Sequence, residues 1–262
     1  MGVQSGNNQN HLRMDNEKRI KRIAAVGDIH VRDADRGQWT EFFRDVSGKA
    51  DILLLCGDLT DHGRATEAEV LAEELRACSI PVLAVLGNHD YDHNEQDEIR
   101  KALALANISI LDGDMSVVGG VGFVGIKGFG GGFDRAMLSM FGEPMMKAFV
   151  QEAVDEALKL DGALSRLDTE HPEVPKIALL HYAPIAATIE GEPEAIFPFL
   201  GSSRLAEPLE RRQVQAAFHG HAHVGTLEGE TARGVKVFNV ARPLLQKLDD
   251  PKDYFIYEVK FK

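Results

Sequence analysis

Five short apolar runs in this chain each break off into a cluster of Asp, Asn and His. Residues 23–26 lead into Gly27, Asp28, Ile29 and His30. Residues 52–56 lead into Gly57, Asp58, Leu59, Thr60, Asp61, His62 and Gly63. The run ending at Leu86 is followed by Gly87, Asn88, His89 and Asp90. The run ending at Leu180 meets His181, and the one ending at Phe218 meets His219, Gly220, His221, Ala222 and His223. Short apolar runs bounded by glycine read as strands buried on both faces. Helical periodicity fills the first intervals, over 38–46, 66–77 and 95–106, and Thr66 and Glu69 have the spacing of a capping box. The alternation predicts an α/β fold, with strands at 23–26, 51–56 and 80–86. In such a sheet the carboxyl ends of the strands form the ligand crevice, so polar clusters far apart in sequence converge there.

Further along, 115–118 and 121–126 read as a hairpin across Gly119 and Gly120. A helix is expected over 144–160, with Pro144 in its first turn, then a strand at 176–180. Runs at 216–218, 224–227, 235–240 and 254–261 read as late strands, mostly antiparallel because their connections are short. No repeat or linker divides the chain, which predicts one domain over 19–262 behind a flexible leader at 1–18. That leader is polar and lacks the apolar core of a signal peptide.

Charge and cysteine content limit what the crevice can serve. The 262 residues hold 29 Lys and Arg against 41 Asp and Glu, a net charge of −12. A general nucleic-acid binder needs the opposite sign. A phosphorylated substrate stays open, because bound cations invert the local field. No run is long enough to span a membrane. Cys56 and Cys78 cannot build a disulfide framework, which fits a reducing cytoplasm, and Cys56 reads as a buried thiol.

Asp, His and Asn together suit divalent cations of intermediate hardness, and the absence of a thiolate cluster excludes a structural Cys-type zinc site. Asp28 and His30 are two apart and fall on one side of an extended segment, as do His221 and His223. Gly27, Gly57, Gly87 and Gly220 are expected to allow tight turns at the strand ends. Residues 120–125 match the dinucleotide fingerprint G-x-G-x-x-G, but no helix opens there and the match is rejected. Residues 127–133, with four glycines, read either as a turn or as a loop whose backbone approaches a substrate.

The ordered set D-x-H, G-D-x-x-D-x-G, G-N-H-D, a lone His and G-H-x-H, from Gly27 to His223, resembles the calcineurin-like metallophosphoesterase superfamily. The resemblance implies a four-layer α/β/β/α sandwich of two mixed sheets and two metal ions, Mn, Fe or Zn. Carried residue by residue, it implies Asp28, His30 and His223 on one metal, Asn88, His181 and His221 on the other, and Asp58 bridging both. A water activated between the metals attacks phosphorus, and His89 protonates the leaving oxygen. Asp61 matches the position that supports this histidine in the protein-phosphatase branch.

That branch carries Arg where this chain has His62 and Glu where it has Asp90. The chain looks closer to the bacterial phosphodiesterase branch, which includes cyclic-nucleotide phosphodiesterases. The expected reaction is hydrolysis of a small or nucleotide-like phosphodiester. A phosphomonoesterase with the same metals is the alternative, and a non-catalytic scaffold is the remote one. His62, His93 and His219 read as neighbours of the motifs rather than parts of the machinery. Residues 183–205 are expected to cap the substrate side, with Arg204 meeting a second anionic group. A helix packed on the sheet edge, or contact with a second copy of the chain, would also explain their apolar content.

Overall fold

The computed structural model describes residues 19–106 and 108–261; the expected leader at 1–18 lies outside them. In chain order the elements are β1 (Arg19–Val26), α1 (Thr40–Lys49), β2 (Ile52–Cys56), α2 (Ala65–Glu74), β3 (Val82–Val85), α3 (Gln96–Ala104) and β4 (Ile108–Ile110). Then come β5 (Asp114–Val118), β6 (Val121–Gly125), α4 (Pro144–Glu170), β7 (Lys176–Leu179), α5 (Phe197–Leu200) and α6 (Ala206–Arg211). The chain closes with β8 (Ala216–His219), β9 (Glu228–Glu230), β10 (Lys236–Asn239), α7 (Arg242–Leu245) and β11 (Phe255–Phe261).

These strands form two mixed sheets. The first is ordered β11-β1-β2-β3-β4 and the second β5-β6-β7-β8-β10-β9. Within the first, β1 to β4 are parallel and β11 runs antiparallel to β1. Within the second, β6, β7, β8 and β10 are parallel, with antiparallel β5 and β9 at the edges. The side-chain period of two sorts each apolar run between two cores. From β2, Leu53 and Leu55 pack with Phe43, Leu71 and Ile99 beneath the helices. Ile52, Leu54 and Cys56 face the other sheet, against Phe123, Leu179 and Phe218. The far side of the second sheet, through Val124, Ala178 and Ala217, packs on Leu160, Leu164 and Leu167 of α4. The layers are therefore α/β/β/α. Cys56 is fully buried, and burial pushes its thiol pKa well up.

Several local expectations are corrected. The helix expected to stop at 160 runs on to Glu170. Gly162 costs it about 1 kcal/mol of propensity, but burial of Ala163, Leu164 and Leu167 outweighs that. The carboxylate that reaches back to the start of α2 is Glu67, which accepts the Arg64 N–H; Thr66 and Glu69 are exposed. Residues 224–227 are not a strand: the edge strand β9 starts one residue later. β10 then pairs parallel to β8, not antiparallel, because β9 lies outside β10.

Candidate metal centre

The five polar clusters meet where the parallel strands of both sheets end. Asp28, His30 and His223 bring ligand-type atoms within 4.8 Å of one another, and so do Asp58, His181 and His221. Asn88 joins the second group, its Oδ1 2.9 Å from His181 Nε2. Asp58 stands between the groups. Its Oδ1 lies 3.4 Å from His181 Nε2, and its Oδ2 lies 3.8 Å from His30 Nε2. His89 sits beside them, its ring edge-on to His30 at 4.7 Å.

Main-chain bonds between the strand-end loops set this geometry. Asp28 N–H donates to Gly57 O and His30 N–H to Asp58 O, at 2.9 and 3.1 Å. Gly27 N–H donates to Val240 O at 2.9 Å, joining the end of β1 to the end of β10 across the two sheets. The carboxylates also hold backbone: Asp58 accepts the His89 N–H, and both Asp28 oxygens accept the His221 N–H. Asp28, His30, Asp58 and His221 have φ of 56°, 44°, 49° and 68°. This left-handed region is uncommon for residues with a side chain and is held by surrounding structure.

The motif glycines do more than turn the chain. Gly57 has a left-handed φ, but Gly27, Gly87 and Gly220 do not. A Cβ on Gly87 would run into the Asp58 carboxylate, and one on Gly220 into that of Asp28. These positions are glycine to leave room for a neighbour's ligand atom.

Asp90 is fully buried and clips two loops together. It accepts the N–H groups of Leu59, Thr60 and Gly87 and the Thr60 hydroxyl. The sequence offered no signal for Lys127, whose carbonyl accepts the N–H groups of both His181 and Tyr182.

The electrostatics suit cations. Burial pushes the Asp58 carboxyl well above the usual range, helped by repulsion from Asp28 and Asp90. Burial also works to raise Asp28, but the His223 hydrogen bond and nearby imidazoles outweigh it and hold it at about 2. Burial drives His181 well below its ordinary value and lowers His30 and His221. His223 is raised by its hydrogen bond to Asp28. Neutral imidazoles offer lone pairs, and a cation would offset the crowded carboxylates. The buried His30 Nδ1 has no hydrogen-bond partner among the described residues. This donor set fits divalent cations.

His89 Nδ1 donates to the Asp61 main-chain carbonyl at 2.8 Å. The Asp61 carboxylate instead accepts Arg32 Nε at 2.7 Å and lies 3.5 Å from His30 Nδ1. His219 is buried between Gly220 O and the Thr188 hydroxyl. His62 contacts Glu67, and His93 contacts the His62 carbonyl. The 183–205 segment reaches the centre, where Phe199 O accepts His221 Nε2 at 3.2 Å. Arg204 donates to Leu138 O at 2.9 Å and thereby ties this segment to the 134–138 loop. The glycine-rich stretch pairs with the same segment: Gly131 and Gly132 donate to Pro198 O and Gly201 O. Close backbone packing against residues 183–205, rather than an open turn, explains its glycines.

The calcineurin-like phosphoesterase family matches residues 21–225. A probable cyclic nucleotide phosphodiesterase of Moraxella catarrhalis (strain BBH18) is 35% identical over 78 residues, which are 27% of this chain and 28% of that one. One from Fibrobacter succinogenes (strain ATCC 19169 / S85) is 28% identical over 88 residues, 30% of this chain and 34% of its own. The matched stretches thus span about a third of these curated relatives. Among solved structures, the phosphopantetheinyl hydrolase of Mycobacterium tuberculosis superposes with a TM-score of 0.65 and 14% identity, covering 90% of this chain and 95% of that one. That likeness is one of fold. With the family match extending over the motif-bearing strand ends from Asp28 to His223, the chain belongs to the calcineurin-like phosphoesterase family.

Proposed function

We propose that the chain hydrolyses a small or nucleotide-like phosphodiester with the help of two metal ions. The observation that carries this reading is Asp58, whose two oxygens face two separate groups of nitrogen and oxygen donors. Asp28, His30 and His223 would hold one cation, Asn88, His181 and His221 the other, and Asp58 both. Manganese, iron and zinc all accept such donors. Bound there, the cations would draw charge from the phosphoryl oxygens and lower the pKa of a water towards neutrality.

The protein's own part is positioning and proton transfer. A carbonyl only accepts, so His89 Nδ1 must carry a proton towards Asp61 O. That leaves Nε2 to deliver a proton to the leaving oxygen. The Asp92 carboxylate also lies near this ring, 3.6 Å from Nδ1. The His89 N–H donates to Asp58 Oδ1 and its ring Nδ1 donates to the Asp61 carbonyl, which hold the ring beside the Asp58 carboxylate. The names of the partial relatives, probable cyclic nucleotide phosphodiesterases, support a diester.

Rates on bis(p-nitrophenyl) phosphate and p-nitrophenyl phosphate, with manganese and after chelation, test the reading. The diester should be preferred and chelation should abolish turnover. A monoester preference would replace the diester reading by a phosphatase, and turnover by neither would overturn the enzyme.

A further inference from the structure

A groove of about 690 Å³ opens from the metal centre on the α1 side. Its wall includes Asp28 and His30 from the centre, together with Trp39, Phe42, Tyr254 and Arg242. None of the last four figures in the motifs. A volume of this size accommodates a small-molecule group.

We infer that this groove is a nucleoside subsite in which the base stacks on the guanidinium plane of Arg242. Arg242 is unusually fixed. Its guanidinium carbon lies 4.9 Å from the Trp39 ring centroid, and its terminal nitrogen is 3.2 Å from Asp253. Its main-chain N–H donates to Gly27 O, next to Asp28, at 3.0 Å. The side chain remains 30% exposed, and its Nε is buried with no hydrogen-bond partner among the described residues. A flat cation backed by an indole offers a face on which a planar heterocycle can stack. Gln38 adds a further polar group to the lining.

Charge decides against other occupants. Arg32 is already paired with Asp61 and Arg242 with Asp253, and Asp35, Glu41 and Asp45 also line the groove. A second phosphate or carboxylate would meet a neutral-to-acidic field, and a lipid chain would strand these charges. The inference rests on the phosphodiester reading for its orientation. His30 lines the groove and packs against His89, so the group held there is the one whose oxygen leaves.

Trp39 is the chain's single tryptophan, so its fluorescence reports on the groove directly. Adenosine 5′-monophosphate, ribose 5-phosphate and inorganic phosphate are titrated into manganese-supplemented wild-type protein. The nucleotide should change Trp39 emission saturably and bind roughly tenfold or more tighter than ribose 5-phosphate, the scale of one stacked base. Equal affinities for the two sugar phosphates, or no emission change with the nucleotide, would overturn the subsite. Arg242→Ala should remove the nucleotide's advantage over ribose 5-phosphate. Arg242→Lys keeps a charge opposite Asp253 but no plane and should not restore it; full restoration would refute stacking. Turnover of bis(p-nitrophenyl) phosphate by the wild type separates the two readings. Base-dependent binding without turnover keeps the subsite and discards the phosphoesterase, and turnover without base-dependent binding does the reverse.

Discussion

Asp58 and His89 lie side by side, yet their proposed duties differ, and substitution should separate them. Asp58→Asn removes charge from both donor groups, so metal content and rate should fall together, as read by elemental analysis. His89→Ala should retain metal and lose about 10²–10⁴ in rate, most for esters with poor leaving groups. Loss of both metals in His89→Ala would contradict its role as acid. Asp61→Ala should cost far less than His89→Ala, because the main-chain carbonyl that orients His89 survives the change. His219 makes a pH prediction. Burial lowers it from 6.5 to about 4, so the unfolded chain takes up a proton that the folded one refuses. Its contribution is present above pH 6.5 and lost as pH falls towards 4, on the order of 3 kcal/mol. Denaturant melts of His219→Asn should show a shallower stability loss across that window than the wild type. The residues that cluster at the strand ends were legible in the sequence because metal chemistry dictates residue type. The Asp61 carbonyl and the Lys127 carbonyl were not, since any residue carries a carbonyl.

Between elements, the device that holds the catalytic loops is Asp90. Removing its carboxylate in Asp90→Ala strands buried donors from the loops after β2 and β3, at about 1–3 kcal/mol each. Urea melts should show a loss exceeding that of a surface substitution, and metal affinity should fall with it. Gly87→Ala should lose stability and metal together, because its Cβ would meet the Asp58 main-chain nitrogen as well as its carboxylate; urea melts and elemental analysis read the two losses. The parallel strands at the heart of each sheet were readable because both their faces are covered, which makes them continuous apolar runs. The edges were not. β9 alternates exposed Glu228 and Glu230 around Gly229 and has no apolar face to announce it. The extension of α4 past Gly162 depended on tertiary burial that outweighs local propensity. The approach of residues 183–205 to the centre was readable from their place between His181 and His221, but not their pairing with the glycine-rich stretch, which is made of backbone.

Over the whole molecule, β1 to β3 in one sheet supply Asp28, His30, Asp58 and Asn88, while β7 and β8 in the other supply His181, His221 and His223. On the proposed reading cations bind only the assembled state, so each site held at a hundredfold its dissociation constant would add about 2.7 kcal/mol. Chelation should therefore lower the melting temperature measurably, and manganese should restore it. The division between the sheets was hidden in the sequence, because the first sheet takes its last strand, β11, from the far end of the chain. The seam through the donors has a further consequence. Cutting the chain in the half-buried turn at Asp112 and Gly113, between β4 and β5, would give two pieces with an incomplete donor set in each. Co-expressed, the pieces should recombine through β11 and the inter-sheet core, but their partnership should tighten sharply with manganese. The molecule would then work as a coincidence detector, assembled when both fragments and the metal are present and falling apart when the metal is withdrawn.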